Sequence, residues 1–219
     1  TVEITIEETV VEYNENGVEF KVKTFPEDVP LTITYNGSEE KPVNAGTYQV
    51  VVTAVLNDKT YTKETTWTIE KQVATFALSD TVQIYDGTLK PLVVQTEPAG
   101  LNYTLTYNGS EETPINAGEY TYLLAIEEDN YQGERSGTFE IEKAEGEIIL
   151  NQKEYIFSGK EIALDYSTTP EGLQVDFTFN GSAAIPFEVG SYQLKAKIND
   201  TNYAGSFSDT LSIVEVTGF

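Results

Sequence analysis

Among its 219 residues the chain has no cysteine, no histidine and no methionine. The missing cysteine excludes disulfide staples, thiolate nucleophiles and zinc–thiolate sites together. The missing histidine removes the usual general base near neutral pH and the commonest metal ligand. Ser-His-Asp and Cys-His machinery is therefore impossible. Chemistry is left with carboxylates, Lys or Tyr bases and oxygen-ligand metal sites. Basic residues are scarce too: 13 Lys and Arg stand against 36 Asp and Glu, for a net charge of −23. No apolar run approaches the roughly 18 residues of a membrane span. No signal-peptide pattern is present, and the start at Thr1 reads as a segment cut from something longer, with any export signal or anchor outside it. No window holds a 3.6-residue hydrophobic period, so no helix is expected.

What the chain does have is a repeat. Tyr35-Asn36-Gly37-Ser38-Glu39-Glu40-Lys41-Pro42-Val43-Asn44-Ala45-Gly46-Thr47-Tyr48 returns as Tyr107-Asn108-Gly109-Ser110-Glu111-Glu112-Thr113-Pro114-Ile115-Asn116-Ala117-Gly118-Glu119-Tyr120. A looser third copy runs from Phe179-Asn180-Gly181-Ser182 through Pro186 and Gly190 to Tyr192. The step from Tyr35 to Tyr107 equals the step from Tyr107 to Phe179. The same step relates Pro26/Pro98/Pro170, Tyr13/Tyr85/Phe157, Trp67/Phe139/Leu211 and Ile69/Ile141/Ile213. A fixed period of this kind marks a tandem array. The copies are drawn at residues 1–71, 72–143 and 144–219. Their acidic excess is even: six basic against thirteen acidic residues, then three against twelve, then four against eleven. It is a surface property of the module rather than a tail. It argues against nucleic-acid binding, which needs cations on phosphates, and against docking on anionic lipid.

Each copy reads as strands. Leu31, Ile33 and Tyr35 alternate with Thr32 and Thr34; Leu101, Tyr103, Leu105 and Tyr107 do the same, as do Leu173, Val175, Phe177 and Phe179. Period two over five to seven residues means a half-buried strand. Turn signals every 8–12 residues then predict an all-β chain of three tandem small antiparallel Ig-like β-sandwich modules arranged end to end. The junctions Glu70-Lys71-Gln72-Val73 and Glu142-Lys143-Ala144-Glu145 carry no Gly/Ser or Pro enrichment. Short linkers of this type favour stiffness over free hinging.

The string Tyr-Asn-Gly-Ser…Pro-x-Asn-Ala-Gly-x-Tyr, with Tyr85-Asp86-Gly87 upstream and Ile141-Glu142-Lys143-Ala144 at the close, resembles the MBG-type bacterial Ig-like repeats. The resemblance covers essentially the whole chain. It implies a tandem segment of a secreted or surface-anchored bacterial protein, an extracellular location, and a spacer or adhesive role. It brings no catalytic residues to carry over. Copy one departs from the pattern with Tyr13-Asn14-Glu15-Asn16-Gly17, and copy three with Phe157-Ser158-Gly159 and Ile213-Val214-Glu215.

Candidate sites are few. Asn36-Gly37, Asn108-Gly109 and Asn180-Gly181 follow strands and are expected as tight turns at positive φ. The Tyr two residues after Gly46, Gly118 and Gly190 is expected to tie its hydroxyl to a loop backbone. Tyr61, Tyr131 and Tyr203 stand at loop-like positions and are expected to be exposed. The acidic loops Asn57-Asp58, Glu127-Glu128-Asp129-Asn130 and Asn199-Asp200 lack the spacing of an EF-hand and read chiefly as solvated. The stretch Ser182-Ala183-Ala184-Ile185-Pro186-Phe187 stands where the other copies carry the acidic Ser-Glu-Glu-x-Pro run, and its Ile185 and Phe187 form the candidate contact patch. The chain is therefore expected to be a non-catalytic stalk segment, with no cofactor or metal, monomeric, and partnered by neighbouring modules of a longer parent chain. The alternative is an adhesive module binding host glycan or protein.

Overall fold

The structure is a computed structural model in which residues 1–216 and Gly218 are described. Among them there is no helix. Contacts divide the chain into two compact units. Unit 1 comprises Thr1–Leu78, Val94–Glu111 and Tyr122–Gly137; unit 2 comprises Ser79–Val93, Glu112–Thr121 and Thr138–Phe219.

In unit 1, copy one builds β1 (Glu3–Ile6), β2 (Val10–Glu12), β3 (Val22–Phe25), β4 (Leu31–Tyr35), β5 (Gly46–Leu56) and β6 (Lys59–Glu70). One sheet is the antiparallel pair β1–β3; the other has the order β2–β6–β5–β4, with β2 parallel to β6. The alternation in sequence decides which face is inside. Val50, Val52 and Ala54 of β5 and Trp67 and Ile69 of β6 are buried, and they meet Val2, Ile4 and Phe20 from the first half of the copy. Phe20 and Tyr35 pack on the Trp67 ring with centroids 5.4 and 5.8 Å away. A short strand β7 (Gln72–Val73) follows.

The middle copy supplies β8 (Thr75–Ser79), β9 (Val82–Ile84), β10 (Val93–Glu97), β11 (Tyr103–Tyr107), β12 (Gly118–Ile126), β13 (Tyr131–Gln132), β14 (Glu134–Glu142) and β15 (Ala144–Glu145). Its sheets read β8–β10 and β9–β14–β12–β11. Copy three, in unit 2, supplies β16 (Glu147–Leu150), β17 (Glu154–Ile156), β18 (Tyr166–Thr169), β19 (Val175–Phe179), β20 (Gly190–Ile198), β21 (Tyr203–Ala204) and β22 (Ser206–Val214). Its sheets are β16–β18 and β17–β22–β20–β19. The registered positions Trp67, Phe139 and Leu211 are all fully buried. One core position thus accepts indole, phenyl or isobutyl as its neighbours change.

The three Asn-Gly pairs are turns, as expected. Asn36, Asn108 and Asn180 have φ of 49°, 49° and 48°, and the following glycines lie near +80°. The Asn36 side chain accepts the Gln49 N–H at 2.8 Å, and Asn180 accepts that of Gln193 at 2.8 Å. The tyrosine ties are present as well. Tyr48 donates to the Asn44 carbonyl at 2.7 Å, Tyr120 to that of Asn116 at 2.7 Å and Tyr192 to that of Glu188 at 2.8 Å.

The copies differ at one hairpin. In copy one, β5 and β6 are joined by two residues, Asn57 and Asp58, at φ of 51° and 59°. In the other copies the equivalent hairpin opens: Glu127–Asn130 precede β13 after β12, and Asn199–Asn202 precede β21 after β20. That difference places the site.

Candidate docking joints

In unit 1, β7 at the end of copy one runs parallel to β13 in the opened hairpin of copy two, with Gln72 opposite Tyr131 and Val73 opposite Gln132. The Gln72 N–H donates to the Asn130 carbonyl at 2.9 Å, and the Ala74 N–H to that of Gln132 at 2.8 Å. Asn130 then works in two directions. Its Oδ1 accepts the Ala45 N–H at 2.8 Å, and its Nδ2 donates to Asn44 Oδ1 at 3.0 Å. The Tyr131 ring stands edge-on against Tyr13 with centroids 5.5 Å apart, and its hydroxyl donates to Glu15 Oε1 at 2.7 Å. Lys71 Nζ donates to the Glu128 carbonyl at 2.7 Å. The hydrogen bond to the Glu15 carboxylate, helped by burial, pushes the Tyr131 hydroxyl up to about 12.

Unit 2 holds the same joint between the end of copy two and copy three. Strand β15 runs parallel to β21, Ala144 opposite Tyr203 and Glu145 opposite Ala204. Asn202 Oδ1 accepts the Ala117 N–H at 2.8 Å, and its Nδ2 donates to Asn116 Oδ1 at 3.1 Å. Tyr203 stacks edge-on against Tyr85 at 5.5 Å, and Lys143 Nζ donates to the Asp200 carbonyl at 2.6 Å. The loop is shaped from within: Asp200 Oδ1 accepts the N–H groups of Asn202 and Tyr203 at 2.7 and 3.0 Å, an Asx turn. In unit 1 the corresponding loop is held differently, by Glu128 Oε1 accepting both the backbone and side-chain N–H of Asn102.

Two glycines permit the close approach. A Cβ on Gly133 would overlap the Ala74 carbonyl oxygen, and a Cβ on Gly205 would overlap that of Gly146. These joint strands can touch only where the side chain is absent.

Two sequence expectations are corrected. Tyr131 is 7% exposed rather than a free loop residue, because Tyr13 packs on it; Tyr203 is half-buried against Tyr85, and Tyr61 packs against the core of copy one. The loops 127–130 and 199–202 are receiving loops rather than merely solvated. A signal existed: Asn130-Tyr131-x-Gly133 returns as Asn202-Tyr203-x-Gly205 and has no counterpart in copy one. The candidate patch lies elsewhere. Ile185 and Phe187 are 42% and 49% exposed. Ile185 lines an open hollow of about 550 Å³ with Leu164, Tyr166, Val175, Phe177 and Ala183. Phe187 lines a smaller one with Pro186 and Tyr192. Among the described residues no group of three or more acidic side chains is placed to hold a metal ion.

A family model, the MBG domain, matches residues 2–72, 74–145 and 147–217. The chain belongs to the MBG domain family. The two residues left between the MBG matches, Val73 and Gly146, lie in the joints, Val73 within β7 and Gly146 directly after β15. Among solved structures the chain is similar to Sidekick-1 immunoglobulin domains 1–5, at 10% identity over 97% of this chain and 61% of that one, TM-score 0.28. It is similar to protocadherin gamma B2 extracellular cadherin domains 1–5, at 11% identity over 100% and 60%, TM-score 0.27. It is also similar to Drosophila N-cadherin EC1-3, at 12% identity over 96% and 99%, TM-score 0.23. The chain spans about three fifths of the length of the first two. No curated protein matches it.

Proposed function

We propose that this chain is a non-catalytic spacer segment of an extracellular bacterial surface protein, whose MBG modules are held by built joints rather than by free linkers. The observation that carries this reading is the joint itself. It occurs twice, at the same point of the repeat, with the same latch asparagine, the same crossed tyrosines and the same lysine on a loop carbonyl. A spacer needs orientation to persist between modules, and several hydrogen bonds plus a ring contact supply it where a flexible linker does not. Even acidity keeps neighbouring molecules apart.

The test is a pair of spin labels placed either side of one joint, in the native chain and in Asn130→Ala. A narrow native distance distribution that broadens in the variant is the expected result. Equally broad distributions in both would end the spacer reading.

The second reading, adhesion, is favoured by one observation. In copy three the acidic run is replaced by Ala183, Ala184 and Ile185, which leaves an open apolar hollow under exposed Ile185. Glycan and matrix-protein arrays test it. A reproducible hit that is lost in an Ile185→Ser/Phe187→Ser variant supports it, and a hit that survives that variant removes the patch.

A further inference from the structure

Copies one and two each present a docking face made of three pieces that converge at one end of the sheet. These are Tyr13 or Tyr85 after the parallel strand, Asn44-Ala45 or Asn116-Ala117 before the long hairpin, and Lys71 or Lys143 after the last strand. Copy three has the same backbone frame there. The Phe157 N–H donates to the Val214 carbonyl at 2.9 Å, as that of Tyr85 does to Glu142 at 2.9 Å. Tyr192 pins the Glu188 carbonyl as Tyr120 pins that of Asn116. Gly190 pairs with Ile213, as Gly46 pairs with Ile69.

The side chains on this frame are changed. Phe157 stands for tyrosine, Glu188 for asparagine, Val189 for alanine and Glu215 for lysine. All four are exposed, with Phe157 at 44% and Val189 at 49%, whereas Tyr13, Tyr85, Ala45 and Ala117 are partly covered by the next copy.

We infer that this end of copy three is a third docking face, keyed to a module of the same fold whose receiving loop carries lysine or arginine. The inference rests on the joint reading above. The Val189 N–H and the Phe157 ring keep two elements of the joint: a backbone donor for a latch asparagine, and an aromatic edge for a tyrosine. The other two elements are inverted. Lys71 and Lys143 donate to a loop carbonyl, while Glu215 is acceptor-only, and so is Glu188. A loop of the kind found in copies two and three would set its carbonyl and carboxylates against two more carboxylates, an arrangement that rejects it. A guanidinium or ammonium in that loop satisfies both. A second copy of this chain is not the partner. The receiving loops of copies two and three are already filled, and copy one closes its hairpin in two residues and has no loop to offer.

The experiment keeps residues 1–218, with Gly218 in the register of Gly146, and puts a second run of residues 147–216 in place of Phe219. Three versions are compared. The first keeps the appended run native. The second carries Thr201→Lys in the appended run. The third keeps the appended run native and carries Glu188→Asn and Glu215→Lys in copy three. Amide hydrogen exchange is read at Val189, with Ala45 and Ala117 as internal references for the native joints. The expected result is a Val189 amide at least roughly tenfold slower in the second and third versions than in the first, the scale of one charge-assisted hydrogen bond. If the first version protects Val189 as fully as Ala117, charge does not key this face and the inference fails. If no version protects Val189 while Ala45 and Ala117 stay protected, the face is not a docking face, and the native joints stand. Loss of protection at Ala45 and Ala117 themselves overturns the joint reading and this inference with it.

Discussion

Asn130 and Asn202 each use both ends of one amide, accepting from a backbone N–H and donating to another asparagine. Alanine at either position leaves the partly buried N–H of Ala45 or Ala117 without its acceptor, at a cost of about 1–3 kcal/mol at the joint, while the exposed amide oxygen of Asn44 or Asn116 turns to solvent. Tyr131 adds a measurable signature. Its hydroxyl is held up to about 12 chiefly by Glu15, against about 10 for a free tyrosine. The neutral form is the one favoured in the joint. Its contribution is therefore complete below pH 10 and is lost as pH rises through about 12. Ultraviolet titration should show late ionisation of Tyr131 and also of Tyr35, whose hydroxyl burial pushes up, and Glu15→Gln should move the Tyr131 step near 12 back toward 10. An unchanged step near 12 would mean that Glu15 is not the partner of Tyr131. Deeper in copy one, Trp67 Nε1 is buried and meets no protein acceptor. Phenylalanine already fills this register at Phe139. Trp67→Phe loses burial but also removes the unpaired donor. The two terms are of similar size, so urea unfolding should show a net change within about 1 kcal/mol.

At the scale of elements, the decisive contrast is between a closed hairpin and an opened one. Asn57-Asp58 at positive φ is the geometry of a two-residue hairpin turn, and such a turn leaves no residue to receive a neighbour. Opening the hairpin in copies two and three creates β13 and β21, the strands that receive β7 and β15. The glycine after each is what lets the strands meet. Gly205→Ala should loosen the second joint by roughly 1–3 kcal/mol, the usual cost of an overpacked contact. It should be read as faster exchange of the Ala117 amide with the Ala45 amide unchanged. Equal effects on both would point to global destabilisation instead. The strands and turns were legible because alternation and Asn-Gly pairs are local signals. The parallel pairing of β7 with β13 was not. Two-residue strands carry no period, and their partners lie far along the chain, Gln72 against Tyr131.

For the whole molecule, the even acidic charge and the constant repeat register suggest interchangeable modules, and the joints contradict that suggestion. Placing residues 1–71 after copy two should abolish the second joint, because copy one has no receiving loop. A chain with copies two and three in native order should retain it. Spin-label distance widths across that joint separate the outcomes, and a narrow distribution in the reordered chain would refute the need for the loop.

By itself the sequence determined the copy number, the all-β class, the turns, the core positions and the family, since each is written in local patterns repeated three times. Only the tertiary structure decided what the loops do. Asn130 and Asn202 look like ordinary polar loop residues until folding brings a backbone N–H some 85 positions earlier within 2.8 Å. A hydrogen bond depends on distance and direction in space, and separation along the chain specifies neither.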